Sequence, residues 1–269
     1  MLINARLTKK SLNKWKIISN FAKKIFSNFD LCLTASNESK NNLNELKVKE
    51  LKYIGNLKYS VESKPDDIKD SNKKILNNYK TWCAASTHKG EETIVLKAHK
   101  EIKKKHENIL TVIVPRHINR SVYIKNLSKK FNLNAQILSD DDTINPNTEI
   151  LIINSFGVLP KYFNYCKSIL MGKSFIKERK NVGGQNPIEA AKLGCKIFHG
   201  PYVYNFQEIY DFLKSYGMAE KINDELELAN RVIKNFENLN KTNNQIDLLK
   251  RHGEKILKET TKLISGYLK

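Results

Sequence analysis

Between about residues 80 and 217, short aliphatic runs alternate with longer amphipathic stretches. TWCAA (81–85), ILTVIV (109–114), residues 135–138, EILII (149–153), SILM (168–171) and residues 195–198 each read as a strand. Between them, residues 90–105, 119–131, a segment running to about Cys166, 187–193 and 205–216 read as helices. In the first of these, Ile94, Ala98 and Ile102 fall on one face. Strands separated by helix-length segments predict a parallel sheet with helices on both faces. Strands buried on both faces read as continuous aliphatic runs, as these do. In such sheets ligands collect beyond the carboxyl ends of the strands. The polar residues there are Ser86, Thr87 and His88 after the first strand, Arg116 and His117 after the second, and Gly183 to Glu189 after a later one.

The flanks read differently. Residues 1–60 hold a short strand-like start (LIN), an amphipathic helix over roughly 11–28 and a strand (LCLTA). Another helix follows, then a strand ending at Gly55-Asn56. Three short strands in 60 residues bury a core poorly by themselves. The piece therefore reads as the end of a domain that begins elsewhere. VESKPDDIKDSNKK (61–74) is polar, charged and holds a proline, which reads as a linker. Beyond residue 218 the chain is charged and helical, with no turn-rich break before Gly253, and predicts two long helices. The expected division is thus 1–60, a linker over 61–74, a main domain over 75–217, and C-terminal helices over 218–269.

Composition fits a folded protein, with 40% hydrophobic residues in 269. Charge adds a feature that hydropathy does not show. Lys and Arg number 47 against 28 acidic residues, a net charge of +19. Such a surface attracts polyanions, whether nucleic acid, anionic lipid or phosphorylated glycolipid; a lysine-, asparagine- and isoleucine-rich genome bias gives the same excess. The charges are dispersed, and no aromatic-basic motif of the nucleic-acid modules appears, so no nucleic-acid partner is expected. Cys32, Cys83, Cys166 and Cys195 are widely spaced without a C-x-x-C pair, which predicts buried reduced thiols rather than a zinc or redox site. The Asp140-Asp141-Asp142 triplet reads as a solvated loop, so no metal is expected. No stretch approaches the ~20 apolar residues of a membrane span.

The densest local signal is GGQNPIEAAKLGCKIFHGP, residues 183–201. Asn186 suits an N-cap, Pro187 the first helical position and Gly194 the stop. Gly183 and Gly184 let backbone approach a ligand closely. A helix start behind a glycine pair offers N–H groups to a phosphate or carboxylate. Glu189, in the first turn, either accepts hydrogen bonds from sugar hydroxyls or simply favours the helix dipole. A well-capped helix without a ligand reads the same way. Likewise Ser86 and Thr87 fit a helix cap, and Arg116 fits either a bound phosphate or solvent.

ASTHKGEE (85–92), PRH (115–117), SFG (155–157), GGQNPIEAAKLG (183–194), GP (200–201) and NFQEI (205–209) stand in one order along the chain. In that order they resemble the Kdo (3-deoxy-D-manno-octulosonic acid) transferases. NARLTKKS (4–11) and GNLK (55–58) resemble segments late in that family's N-terminal domain and at its junction. The resemblance implies an α/β, GT-B-type glycosyltransferase: a complete C-terminal Rossmann-like domain plus the end of the N-terminal Rossmann-like domain. It implies a CMP-Kdo donor, a lipid A precursor as acceptor and no cofactor. It also implies residence at an anionic membrane surface, the cytoplasmic face of the bacterial inner membrane. By match of residues, the donor pocket comprises Ser86, Thr87, Arg116, Phe156, Gly157, Gly183, Gly184, Asn186 and Glu189. Arg116 and the helix start at Asn186 would hold phosphate or the Kdo carboxylate, and Glu189 the ribose.

Three departures bear on nucleotide choice and turnover. Gly172-Lys173-Ser174 stands where the family has G-G-S, Gln185 where His is common, and Asn154 to Val158 where an acidic loop is common. The family's chains begin more than a hundred residues earlier, with a membrane-anchoring segment that this sequence lacks, and no residue here matches their catalytic base. A separately encoded N-terminal half is therefore an expected partner. The alternatives are another GT-B nucleotide-sugar enzyme, such as an epimerase, or a non-catalytic nucleotide-binding remnant.

Overall fold

A computed structural model describes residues 1–62, 67–140, 142–177, 183–238 and 243–267. Two compact units divide the chain, one formed by Met1–Glu62 with Asp247–Lys269 and the other by Ser63–Ile246.

The larger unit contains seven parallel strands: β4 (Lys80–Thr87), β5 (Ile109–Pro115), β6 (Ala135–Leu138), β7 (Ile150–Ile153), β8 (Ser168–Met171), β9 (Lys196–His199) and β10 (Ala219–Lys221). Their order across the sheet is β10-β9-β8-β4-β5-β7-β6. The first six are the aliphatic runs expected, and β5, β7 and β8 are buried along their whole length. β10 was hidden in the sequence, because three residues (Ala-Glu-Lys) on a sheet edge need only one apolar contact. The helices include α5 (Glu91–Lys103), α6 (Ser121–Lys130), α8 (Ile188–Lys192), α9 (Gln207–Ser215) and α10 (Glu225–Glu237). One core cluster joins Trp82 and Ile113 of the sheet to Leu96 and Ile102 of α5, and to Leu228 and Val232 of α10. From β4 the chain builds outward on one side through β5 and later on the other through β8. The topological switch point therefore lies at the carboxyl ends of β4 and β8.

The smaller unit has a three-stranded parallel sheet, β1 (Leu2–Ala5), β2 (Leu31–Thr34) and β3 (Glu50–Tyr53). The single helix expected over 11–28 is two, α1 (Lys9–Ile17) and α2 (Ser19–Phe26), broken where Ile18 leaves helical geometry. With α3 (Asn37–Asn44) they enclose one core around Leu12, Ala22, Phe26, Cys32 and Leu43. Leu31, Leu33 and Ile54 form a separate cluster against Leu263 of the last helix, α11 (Asn243–Tyr267).

This corrects the division expected from sequence. The helices after 218 do not form a body of their own: α10 packs on α5, while all of α11 from Asp247 belongs with the N-terminal strands. The stripe Leu249, Gly253, Ile256, Thr260, Leu263 has 4-3-4-3 spacing, that of one helix face. Gly253 does not break the helix. A Cβ there would stand 2.3 Å from the Tyr59 carbonyl oxygen, so the glycine serves close packing. Burial that the first 60 residues cannot provide alone comes from the far end of the sequence.

Candidate functional site

Three backbone segments interlock at the carboxyl ends of β4, β8 and β9. β4 carries an irregularity between Ala85 and Thr87, where Ser86 takes a left-handed backbone (φ 55°). Gly172, which follows β8, donates its N–H to Ala85 O at 2.8 Å. A Cβ on Gly172 would lie 2.4 Å from Ser86 O, so only glycine passes here. Lys173, in place of the second glycine of G-G-S, is held at φ 59°, a region lysine enters at a cost. Its carbonyl accepts from Gly184 N at 2.7 Å. Gly183 approaches Tyr202, whose carbonyl oxygen a Cβ would meet at 2.2 Å. The glycine pair thus permits loop-on-loop packing, a need that the sequence reading assigned to ligand approach.

One side chain that sequence reasoning left out of the site fastens these segments. Glu91, on the first turn of α5, is 1% exposed. One carboxylate oxygen accepts from His88 N (2.9 Å) and Lys173 N (2.7 Å), and the other from Ser174 N (2.8 Å) and Phe175 N (3.1 Å). Burial pushes its carboxyl above the usual range, and the four amides oppose that. Ser174 extends the knot: its hydroxyl accepts from Gly200 N at 2.9 Å and its carbonyl from Tyr202 N at 2.9 Å. The neighbouring Glu92 is wholly buried and pairs with Arg120 at 2.9 Å.

The candidate residues sit around this knot unequally. Thr87 is fully buried with its hydroxyl unpartnered, and its carbonyl accepts from Arg116 N at 3.0 Å. Arg116 is exposed and makes no ion pair among the described residues. Asn186 turns its Oδ1 back to Ile188 N at 3.0 Å, so the cap falls one residue earlier than the helix assignment, which begins after Pro187. α8 spans only five residues, and exposed Glu189 lies in its first turn. Backbone contacts therefore connect Arg116, Thr87, Ser86, Gly172–Lys173 and Gly183–Gly184. Phe156 (70% exposed) and Gly157 lie after β7, with β5 between them and β4. Asn154 of the same turn accepts from Ser121 Oγ at 3.0 Å. Asp142 accepts from Ser139 N at 2.8 Å; Asp141 lies outside the described residues. All four cysteines are buried free thiols. Among the described residues, no helix is long and apolar enough to cross a membrane.

A hollow of about 300 Å³ opens at the opposite edge, before β8, β9 and β10. Its Arg231 and Lys196 are engaged by Glu220. It is far from the polar strand ends and shares none of their residues.

Residues 1–61 match the family model described as 3-Deoxy-D-manno-octulosonic-acid transferase (kdotransferase). Across 87% of this chain, the 3-deoxy-D-manno-octulosonic acid transferase of Haemophilus influenzae is 27% identical, and 55% of that relative is covered. The chain is similar to the Kdo transferases over most of its length. It spans little more than half the length of the curated Kdo transferases it matches. Among solved structures, the C-terminal CMP-Kdo binding domain of WaaA from Acinetobacter baumannii superposes with a TM-score of 0.58 at 22% identity, covering 70% of this chain and 97% of that domain. Anabaena Alr3699/HepE, crystallised with UDP and glucose, superposes with a TM-score of 0.56 at 13% identity, over 95% of this chain and 68% of its own. The fold is that of the GT-B glycosyltransferases, in agreement with the Kdo-transferase resemblance of the motifs.

Proposed function

We propose that this chain supplies the donor-binding half of a glycosyltransferase that moves Kdo from CMP-Kdo to a lipid A precursor, a step of lipopolysaccharide core biosynthesis at the cytoplasmic face of the bacterial inner membrane. The observation that carries the reading is the switch point itself. There the backbone N–H of Arg116, whose guanidinium makes no ion pair among the described residues, donates to the carbonyl of Thr87, whose buried hydroxyl is unpartnered among them. An anionic nucleotide bound there gives the hydroxyl a partner and the cation a counter-charge. The Asn186–Glu189 turn, tied to the same knot through Gly184, is where the sugar hydroxyls or carboxylate would be held.

In this reading the acceptor hydroxyl displaces CMP from the anomeric carbon with inversion. The protein's part is to hold the donor and neutralise charge on the departing phosphate, which Arg116 does. The proton of the attacking hydroxyl needs a base. We assign that base to no residue of this chain.

Calorimetric titration of the chain with CMP, and with UMP for comparison, tests the donor site. Saturable binding of CMP, weaker for UMP and lost in Asn186→Ala/Glu189→Ala and in Arg116→Ala, is the expected result. A folded chain that binds neither nucleotide would leave the remnant reading in its place, and a preference for UMP would favour the epimerase-like one.

A further inference from the structure

The segment 9–24, KKSLNKWKIISNFAKK, holds six lysines and no acidic residue. It forms α1 and α2, whose buried residues are Leu12, Ala22 and Phe26. Three large apolar side chains at the junction point the other way: Ile17 is 83% exposed, Ile18 47% and Phe21 58%. The other large apolar residues of α1, α2 and α3 serve the core of the smaller unit, and the exposed Leu257 and Tyr267 of α11 stand ten positions apart, so three neighbouring exceptions form a patch and not scatter. Lys9 and Lys16 are engaged by Glu45. Lys10, Lys14, Lys23 and Lys24 make no ion pair among the described residues and flank the apolar tip on both sides in sequence.

We propose that the α1–α2 junction is a membrane-docking tip, in which Ile17, Ile18 and Phe21 enter the acyl boundary of an anionic bilayer while Lys10, Lys14, Lys23 and Lys24 bind lipid phosphates. The inference rests on the membrane-surface part of the proposed function and gives it a location. Large aliphatic and aromatic side chains set among lysines match the two terms that hold a protein on such a surface, apolar insertion and attraction of roughly one kcal/mol per lysine. A second copy is a poorer occupant, since two such segments would oppose like charge across the contact. A nucleic acid would engage the lysines but give the isoleucines nothing to bury.

Co-sedimentation of the full chain with vesicles of phosphatidylcholine, alone and with phosphatidylglycerol, tests the proposal. The expected result is binding to the anionic vesicles only, weakened roughly tenfold or more in Ile17→Ser/Ile18→Ser/Phe21→Ser and in Lys10→Gln/Lys14→Gln/Lys23→Gln/Lys24→Gln. Both variants change exposed positions, Lys23 alone being half-buried, so CMP titration and circular dichroism should match the parent chain. Binding that survives the apolar variant unchanged overturns the tip while leaving a membrane role elsewhere. Parent chain that ignores both vesicles overturns the membrane role itself, and a dimer that the apolar variant dissolves assigns the patch to a second copy.

Discussion

Replacing Glu91 by glutamine changes one atom at the centre of the loop knot. Each carboxylate oxygen accepts two amides, from His88 and Lys173 on one side and from Ser174 and Phe175 on the other. Whichever way the glutamine amide turns, its NH2 faces two N–H donors that have nowhere else to go. A stranded buried donor costs about 1–3 kcal/mol, and the two remaining hydrogen bonds lose their charge assistance. The net loss is therefore about 3–4 kcal/mol of unfolding free energy in the larger unit, a large share of the ~5–15 kcal/mol of an ordinary domain. Urea unfolding reads this directly if Trp15 is first changed to Phe, leaving the fully buried Trp82 as the reporter. Amide exchange at residues 173–175 should accelerate together, and CMP affinity should fall about tenfold or more, because Gly184 hangs from the Lys173 carbonyl. An unchanged urea midpoint with unchanged exchange at 173–175 would refute the reasoning.

Two further outcomes follow from the packing and electrostatics. Gly253→Ala raises helix propensity by about 1 kcal/mol, yet its methyl would meet the Tyr59 carbonyl at 2.3 Å; the clash should win, with a net loss of about 1–3 kcal/mol in the smaller unit, and a gain in melting temperature would show that the helix does not pack there. Glu149 is held down to about 2 by His99, the Asn134 amide and Lys103 against its burial. Its folded value is depressed, so its stabilisation is present above about 4.5 and is lost as pH falls toward 2. The stability gap between the parent chain and Glu149→Gln should therefore shrink by about 2 kcal/mol from pH 6 to pH 3, and a gap that stays constant would contradict the assignment.

The six aliphatic strands of the main domain were legible because a strand buried on both faces tolerates little besides apolar residues, whatever its neighbours are. Two strand ends were legible for the same reason, since Arg116 and Asn154 are the first residues past β5 and β7, whereas β4 runs beyond its aliphatic run through Ser86 to Thr87. The order of the motifs carried the family resemblance without any structure. Local pattern does not name partners, however. The stripe on α11 announces an apolar face, but only the fold shows that Leu31, Leu33 and Ile54 are what it covers. Gly183 and Gly184 mark close approach in the sequence and Gly253 reads as a break, while the approaching atom, a carbonyl of Tyr202 or Tyr59 or the backbone of Val203, comes from residues the spacing cannot connect. Glu91 reads as a surface acid in a helix's first turn, and its burial is decided by three amides more than eighty positions away. In the same way the helix expected over 11–28 is two, and Ile17, Ile18 and Phe21 stand exposed at the break between them. Sequence by itself marked the aliphatic runs that must leave water, because their apolar composition is local; tertiary structure decided what each run meets and which single residues depart from the pattern, because contact depends on the chain's path through space.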